Sequence, residues 1–416
     1  MISREGKKRL TRISEIKLDS LLEVTKAINS NYSIDMLLEI FKGILENKLQ
    51  IPKLMLFISS EDDWKCWLKS GVGEEYKGIV VERDLLHIRE INAVNFSENT
   101  PLNFSESNNE NLLEIVIPVY HKTQPLAYLM IGDADDSKEV IRPSIKHLNF
   151  VQTLTSIIVV AIENKKLAKQ SIRQIEVKRE LELASIMQNM LFPTGLPQND
   201  KIDSAAFYLP HRQVGGDYYD YVEINDNEFA FCVADVSGKG VAAAFVMSNF
   251  QAQLRILLKH TSSLTELVKE LNVNVMASAK GEKFITLFVA KYNLVTRKLN
   301  YINAAHNPPI LLHDGNVTTL HEGCLGLGMF DEISDIESAE ITIEPNTKIV
   351  CYTDGLTELE NGAGEEFGVE NLKDVVLANR NEGMQSLNRA IMDAVDLYKG
   401  KKPYVDDIAL LSLKIM

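Results

Sequence analysis

Four separated places in this 416-residue chain put an aspartate where the backbone must bend or a strand must begin or end. "VGGD" sets Asp217 behind two glycines, and "FAFCVADVSGKG" runs an apolar strand into Asp235 and a glycine-rich turn. "KIVCYTDG" repeats the device at Asp354, and "VDDIALLSL" places Asp406 and Asp407 just ahead of a strand. Singly, such residues are ordinary turn formers and helix caps. Together they make a carboxylate cluster, which is costly to bury without counter-charge and tends to stay protonated. Hard divalent cations remove that cost, and oxygen donors without nearby His or Cys favour magnesium or manganese over zinc. Two such ions roughly 3.5–4 Å apart would clamp a phosphate and draw a nucleophile from water at neutral pH. The Val236 carbonyl, entering the "VSGKG" turn, is a candidate additional ligand. Neither a GxSxG elbow nor a reactive-cysteine signature offers a competing nucleophile.

Three segments must position these groups. The length predicts two or three domains. Residues 18–164 open with apolar residues at helical spacing, broken at "NSNYS" into two helices. "KLMLFISS", "CWLKS", "EIVIPVYH" and "PLAYLMIGD" read as strands, and "IKHLNFVQTLTSIIVVAIENKKL" as a closing helix. Helices beside an antiparallel sheet make an α+β domain. Residues 165–192 read as a charged helix with a narrow apolar stripe that includes Ile172, Ile175, Leu183, Ile186, Met187 and Met190. A stripe without a core of its own predicts a partner helix in a parallel homodimer, or else a helix folded back on the next domain. "FPTGLP" ends it, since proline removes a backbone donor. Residues 196–416 carry the aspartates. Their long strands with intervening helices predict packed sheets flanked by helices.

Bulk composition narrows the function. A hydrophobic share of 45% and a charged share of 25% are ordinary for a globular protein. A formal net charge of -14 argues against nucleic acid as the main partner. The four cysteines show no CxxC spacing and read as reduced, which points to a cytoplasmic protein. "LTSIIVVAIEN" is too short to span a membrane and is bounded by charge. "GDADDSKEV" has calcium-loop flavour at Asp133, Asp135 and Ser137, but Lys138 and Ser144 stand where Gly and Glu belong. Trp64 and Trp67 are strand aromatics that could line a pocket and more commonly fill a core.

Two resemblances add to this reading. The first segment resembles a GAF sensory domain, through the "IPVY…QPLAYLMIGD" hairpin and the final helix ending "AIEN". It implies a small-molecule or protein signal, against the plainer reading of an interaction module without ligand. The third segment is similar to the SpoIIE/RsbU-like branch of the metal-dependent (PPM) serine/threonine phosphatases. "ELELASIMQNMLFPTGLP", "VGGDYYDY", "VADVSGKGVAAAFVMS", "FITLFVAKYN", "LNYINAAHNPPILL", "YTDGLTE", "EFGVENL" and "DDIALL" occur in the family's order. The resemblance implies an αββα sandwich with a binuclear Mn²⁺ or Mg²⁺ site, and a third, looser ion as an extension. It gives Asp217, Asp235, Asp354 and Asp406 the catalytic metal-binding roles, with Asp235 bridging and the Val236 carbonyl ligating. Asp407 is a ligand of the looser ion or a support for the others. Ala305 stands where the family has glycine, and Gln213 where it often has an acid; neither is a ligand.

The implied activity is dephosphorylation of a phosphoserine or phosphothreonine protein. The implied substrate is a STAS-fold anti-sigma-factor antagonist in a partner-switching pathway. The competing readings are a pseudophosphatase that only binds a phosphoprotein or kinase, and hydrolysis of a small phosphorylated metabolite.

Overall fold

The computed structural model describes residues 4–60, 63–73, 79–93, 113, 115–134 and 142–416. The chain divides into two compact units, Met1–Ile175 and Glu176–Met416.

In the first unit, α1 (Arg4–Asn29) and α2 (Ile34–Gly43) are separated at the expected break. The Ser33 hydroxyl accepts from the Met36 amide at 3.3 Å and starts α2. A π-helical turn over residues 44–48 follows. The strands are β1 (Lys53–Ser60), β2 (Asp63–Ser70), β3 (Asn92–Ala93), β4 (Ile115–His121) and β5 (Gln124–Gly132), with the short α3 (Val81–Asp84) before β3. They form one antiparallel sheet in the order β2-β1-β5-β4-β3. The short α4 (Pro143–Lys146) leads into α5 (Leu148–Asn189). Because side chains alternate along a strand, Leu54, Leu56 and Ile58 join the helices in one core. Met55 and Phe57 meet Val81, Leu85 and Tyr128 on the other face. Trp64 packs on that second face, 5.4 Å from the Tyr128 ring, and Trp67 lies under Lys166 at 4.9 Å. Both tryptophans act as packing residues here. Asp135 and Ser137 lie outside the described residues. Asp133 accepts from both the amide and the hydroxyl of Ser144, which uses its oxygens to start α4.

Helix α5 passes the expected boundary at 164/165 without a break, since "IENKKLAK" contains no helix breaker. In the second unit, Leu183, Ile186, Met187 and Met190 are exposed, while Gln188 and Phe192 are buried against it.

The second unit contains two sheets. The first is built from β7 (Tyr218–Asn225), β8 (Glu228–Val236), β9 (Ile285–Asn293), β10 (Lys298–Ala304), β13 (Gly323–Cys324) and β14 (Ala339–Thr342). Its order is β13-β10-β9-β8-β7, with β14 also paired to β10. The second is β12-β11-β15-β16-β6, from β6 (Ile202–Leu209), β11 (Ile310–His313), β12 (Asn316–Thr319), β15 (Thr347–Tyr352) and β16 (Ile408–Ile415). Phe229, Phe231, Val233 and Phe288 from one sheet meet Ile349, Cys351, Ala409 and Leu411 from the other in a buried layer. Helices α6 (Val241–His260) and α7 (Leu264–Ala279) cover the outer face of the first sheet through Met247, Phe250, Leu254 and Leu271. After the one-turn α8 (Asp354–Thr357), α9 (Gly368–Ala378) and α10 (Met384–Lys399) cover the second through Leu372, Leu387, Ile391 and Val395. The result is the expected helix–sheet–sheet–helix sandwich. By length and composition alone α6 could cross a membrane; here its Ala243, Met247, Phe250, Leu254 and Leu258 pack in the core.

Candidate active site

The aspartates arrive from both sheets. Asp217 immediately precedes β7, and Asp235 lies near the end of β8, paired in register with Thr286 of β9. Asp354 opens α8 directly after β15, and Asp406 and Asp407 lead into β16. The last two sites are tied together. The Thr353 amide donates to the Ala409 carbonyl at 3.1 Å, and the Ala409 amide donates to the Thr353 hydroxyl at 2.8 Å.

Burial and neighbouring carboxylate charges act on these groups together. Burial pushes the Asp217 carboxyl well above the usual range, and the Asp235 charge adds to the shift. Burial, then Asp354, lifts Asp235 to about 7. Asp354 is raised by burial and then by Asp406. Without a cation, these carboxylates hold protons that free aspartates would release.

Asp407 has a different employment. Its Oδ1 accepts from the His211 amide at 2.7 Å and its Oδ2 from the Gly216 amide at 2.6 Å. Both oxygens therefore anchor the loop ahead of Asp217. Asp406 Oδ2 is paired with Lys239 Nζ at 2.6 Å, and the same ammonium donates to the Val405 carbonyl at 2.6 Å.

As placed, no three His, Cys, Asp or Glu side chains among the described residues are gathered closely enough to hold one ion. The chemistry of the donors nonetheless fits a hard cation. Asp217 Oδ2 is buried with no hydrogen-bond partner among the described residues, an expensive state for a carboxylate oxygen. A Cβ on Gly216 would stand 2.9 Å from the Val236 carbonyl oxygen, so only glycine leaves that oxygen room beside Asp217. Asp217, Asp235, Asp354, Asp406 and the Val236 carbonyl are the residues that would hold Mn²⁺ or Mg²⁺.

Arg255 and Lys283 were not singled out from the sequence. Arg255 of α6 grips buried Asp220 through Nε at 2.7 Å and its terminal nitrogen at 2.8 Å, and the Tyr218 hydroxyl donates to the same carboxylate. Lys283 Nζ donates to the Ser237 carbonyl at 2.7 Å, and the Ser237 hydroxyl accepts from the Phe284 amide at 3.0 Å, fixing the "VSGKG" turn. Lys239 was legible only as part of that turn. His306 is buried, its Nδ1 2.9 Å from the Thr286 hydroxyl, and burial lowers its pKa to about 4. It is neutral at pH 7 and belongs to the scaffold. Asn307 reaches the Thr357 hydroxyl only at 3.5 Å.

Residues 225–416 match the family described as Stage II sporulation protein E (SpoIIE). The chain is 32% identical over 203 residues to the Bacillus subtilis (strain 168) protein named phosphoserine phosphatase RsbU, covering 48% of this chain and 60% of that protein. It is 26% identical over 277 residues to Protein IcfG of Synechocystis sp. (strain ATCC 27184 / PCC 6803 / Kazusa), covering 60% of this chain and 43% of that one. The chain thus spans less than two thirds of these curated relatives. Among solved structures, the SiaA-PP2C domain of Pseudomonas aeruginosa superimposes with a TM-score of 0.53 at 21% identity, covering 59% of this chain and 99% of that domain. The shared fold is of PP2C type.

Proposed function

We propose that this chain, whose C-terminal unit carries a SpoIIE-family domain of the PP2C phosphatase type, is a metal-dependent phosphoprotein phosphatase. The observation that carries the reading is the set of carboxylates, Asp217 buried and Asp235, Asp354 and Asp406 partly so, that come from two sheets, with Asp217 Oδ2 left unpaired. Bound Mn²⁺ or Mg²⁺ would screen phosphate charge and lower the pKa of a coordinated water. The chain's own residues do the rest. Asp217, Asp235, Asp354, Asp406 and the Val236 carbonyl would hold the ions, Asp407 fixes the loop that presents Asp217, and the Lys283–Ser237 contact holds the turn after Asp235.

The RsbU relative, a phosphoserine phosphatase by name, supports a phosphoserine ester as the bond cleaved, with the serine hydroxyl as the leaving group. The substrate is a phosphoprotein, of which a STAS-type anti-sigma-factor antagonist is the form that the family resemblance suggests, met in the cytoplasm. The first unit acts as a GAF-like sensor of a small-molecule or protein signal. The exposed Leu183, Ile186, Met187 and Met190 support pairing with a second copy as a helical homodimer. A pseudophosphatase has less in its favour, because a scaffold has no need of every carboxylate at once.

The test is phosphate release from a phosphoserine protein or peptide, against small phosphate esters, with Mn²⁺ and with excess EDTA. Turnover of the phosphoprotein that EDTA abolishes is expected. Full turnover in EDTA would refute the metal chemistry, exclusive turnover of small esters would favour the metabolite reading, and no turnover at all the scaffold.

A further inference from the structure

We propose that the cavity beside the 305–308 turn is a subsite for a cationic side chain, lysine or arginine, next to the phosphoserine of the substrate. Its volume is about 550 Å³, and its lining includes Asn303, His306, His321, Glu322, Cys324 and Glu337. Among the described residues, no lysine or arginine lines it. The imbalance extends beyond the cavity. From Leu299 to Thr347 the chain contains eight carboxylates and neither lysine nor arginine. Such a surface draws cations and turns anions away.

The two glutamates of the cavity are held by the backbone. The Asn303 amide donates to the Glu322 carbonyl at 2.9 Å, and the Glu337 amide donates to the Gly323 carbonyl at 3.0 Å. The Tyr301 hydroxyl donates to Glu322 Oε2, which lowers the pKa of that carboxyl and keeps it ionised. The buried wall supplies a third acceptor. His306 is 5% exposed, and its Nε2 has no hydrogen-bond partner among the described residues. With the ring proton on Nδ1, toward the Thr286 hydroxyl, neutral His306 presents Nε2 as an acceptor. A buried acceptor left empty costs free energy that a ligand's donor recovers. An ammonium or a guanidinium offers donors alone, the complement of two carboxylates and a free ring nitrogen.

The cavity adjoins the catalytic carboxylates. His306 Nδ1 lies 2.9 Å from the Thr286 hydroxyl, and Thr286 pairs in register with Asp235. Neighbouring strands are about 4.8 Å apart, so the wall stands on the order of 10 Å from Asp235. An extended substrate chain, rising about 3.3 Å per residue, covers that span in roughly three residues.

This subsite rests on the phosphoprotein phosphatase reading above, and its experiment separates the two. An alanine-based phosphoserine peptide is made in three series, with one arginine, glutamine or glutamate walked through the positions around the phosphoserine. Phosphate release by the full-length protein with Mn²⁺ gives kcat and KM for each peptide. At the favoured position arginine should exceed glutamine in kcat/KM by about fivefold, chiefly through KM, and glutamate should fall below both. Added salt should narrow the difference. Glu337→Gln and Glu322→Gln should each cut the arginine-to-glutamine ratio by more than half, and Glu337→Lys should reverse the order in favour of glutamate. The ratio is read within one variant, so a general loss of rate cancels. No preference at any position in wild type, or an arginine preference that survives in the folded variants, overturns the subsite and leaves the phosphatase reading intact. If one variant does not fold, the others decide. If no phosphoserine peptide releases phosphate with Mn²⁺, the phosphatase reading fails and the subsite with it.

Discussion

Lys239 Nζ lies 2.6 Å from Asp406 Oδ2, so a residue of the turn after Asp235 already neutralises a carboxylate of the opposite sheet. Both side chains are about one-third exposed, and a pair in that setting is worth roughly 0.5–1 kcal/mol. A cation that uses Asp406 must displace this ammonium. Lys239→Met should therefore tighten Mn²⁺ binding by about two- to fivefold while lowering the melting temperature of the metal-free protein. Calorimetry at fixed ionic strength checks the affinity; weaker binding would mean that Lys239 assists the cation.

Asp235→Asn should abolish turnover and stabilise the metal-free fold. The substitution removes a buried charge that faces Asp354 and Asp217, and relief of that repulsion favours the folded state. Phosphate release and thermal melting in EDTA are the two measurements. Normal turnover in this variant would remove Asp235 from the site.

The same residue sets a pH dependence. Its pKa is raised from an unfolded value near 3.8 to about 7, so the folded form holds the proton more tightly. Its stabilising contribution is complete below about pH 4 and is lost as the pH climbs through about 7. Asp217 and Asp354 shift in the same direction. His306, lowered to about 4, acts oppositely and costs stability as the pH falls below its unfolded value. Subtraction isolates the aspartate: the melting advantage of Asp235→Asn over wild type in EDTA should grow from pH 5 to pH 8. A constant difference would contradict the assignment.

Ala305 occupies the left-handed region with φ of 51° and is exposed. The conformation costs an L-residue roughly 1 kcal/mol, partly offset by the greater unfolded-state entropy of glycine. Ala305→Gly should raise the melting temperature by about 1–3 °C and leave turnover unchanged. A lower melting temperature would show that the methyl group packs usefully.

Ile186, 54% exposed on α5, should lie in the helix-pairing seam if two copies associate. Ile186→Glu is expected to shift light-scattering mass from dimer to monomer and to change the phosphatase rate with it. A monomeric wild type would leave the stripe without this role.

Much of this was legible in the sequence because periodicity is a local property. Strand β8 alternates between the two cores, with Ala230, Cys232 and Ala234 facing α6 and Phe229, Phe231 and Val233 facing the other sheet. Its continuous apolar run announces a strand buried on both faces. By contrast, β6 and the short β12 to β14 carry small or polar residues and gave no such signal. The carboxylates were legible through their glycines, and the family resemblance offered Asp407 as a support for the other acids, but the structural basis of that role was not legible. It depends on amides at His211 and Gly216, 196 and 191 positions away. Gln188 reads in sequence as one more polar residue of a charged helix, and its burial depends on a bond to the Gly215 carbonyl, 27 positions on.

Asp217 and Asp235 stand on one sheet, while Asp354 and Asp406 stand on the other. The gap between the two pairs is thus gauged by what fills the layer between the sheets, typically about 10 Å thick. Phe229, Phe231 and Phe288, fully buried there, behave as spacers in a calliper whose jaws are the strand ends. Shaving such a ring thins the layer or leaves a void, and either outcome alters the jaw opening without touching a ligand. Metal preference can therefore drift through the core: a Phe288→Leu substitution, which changes no carboxylate, is a route by which descendants of this protein could trade one divalent ion for a smaller or larger one.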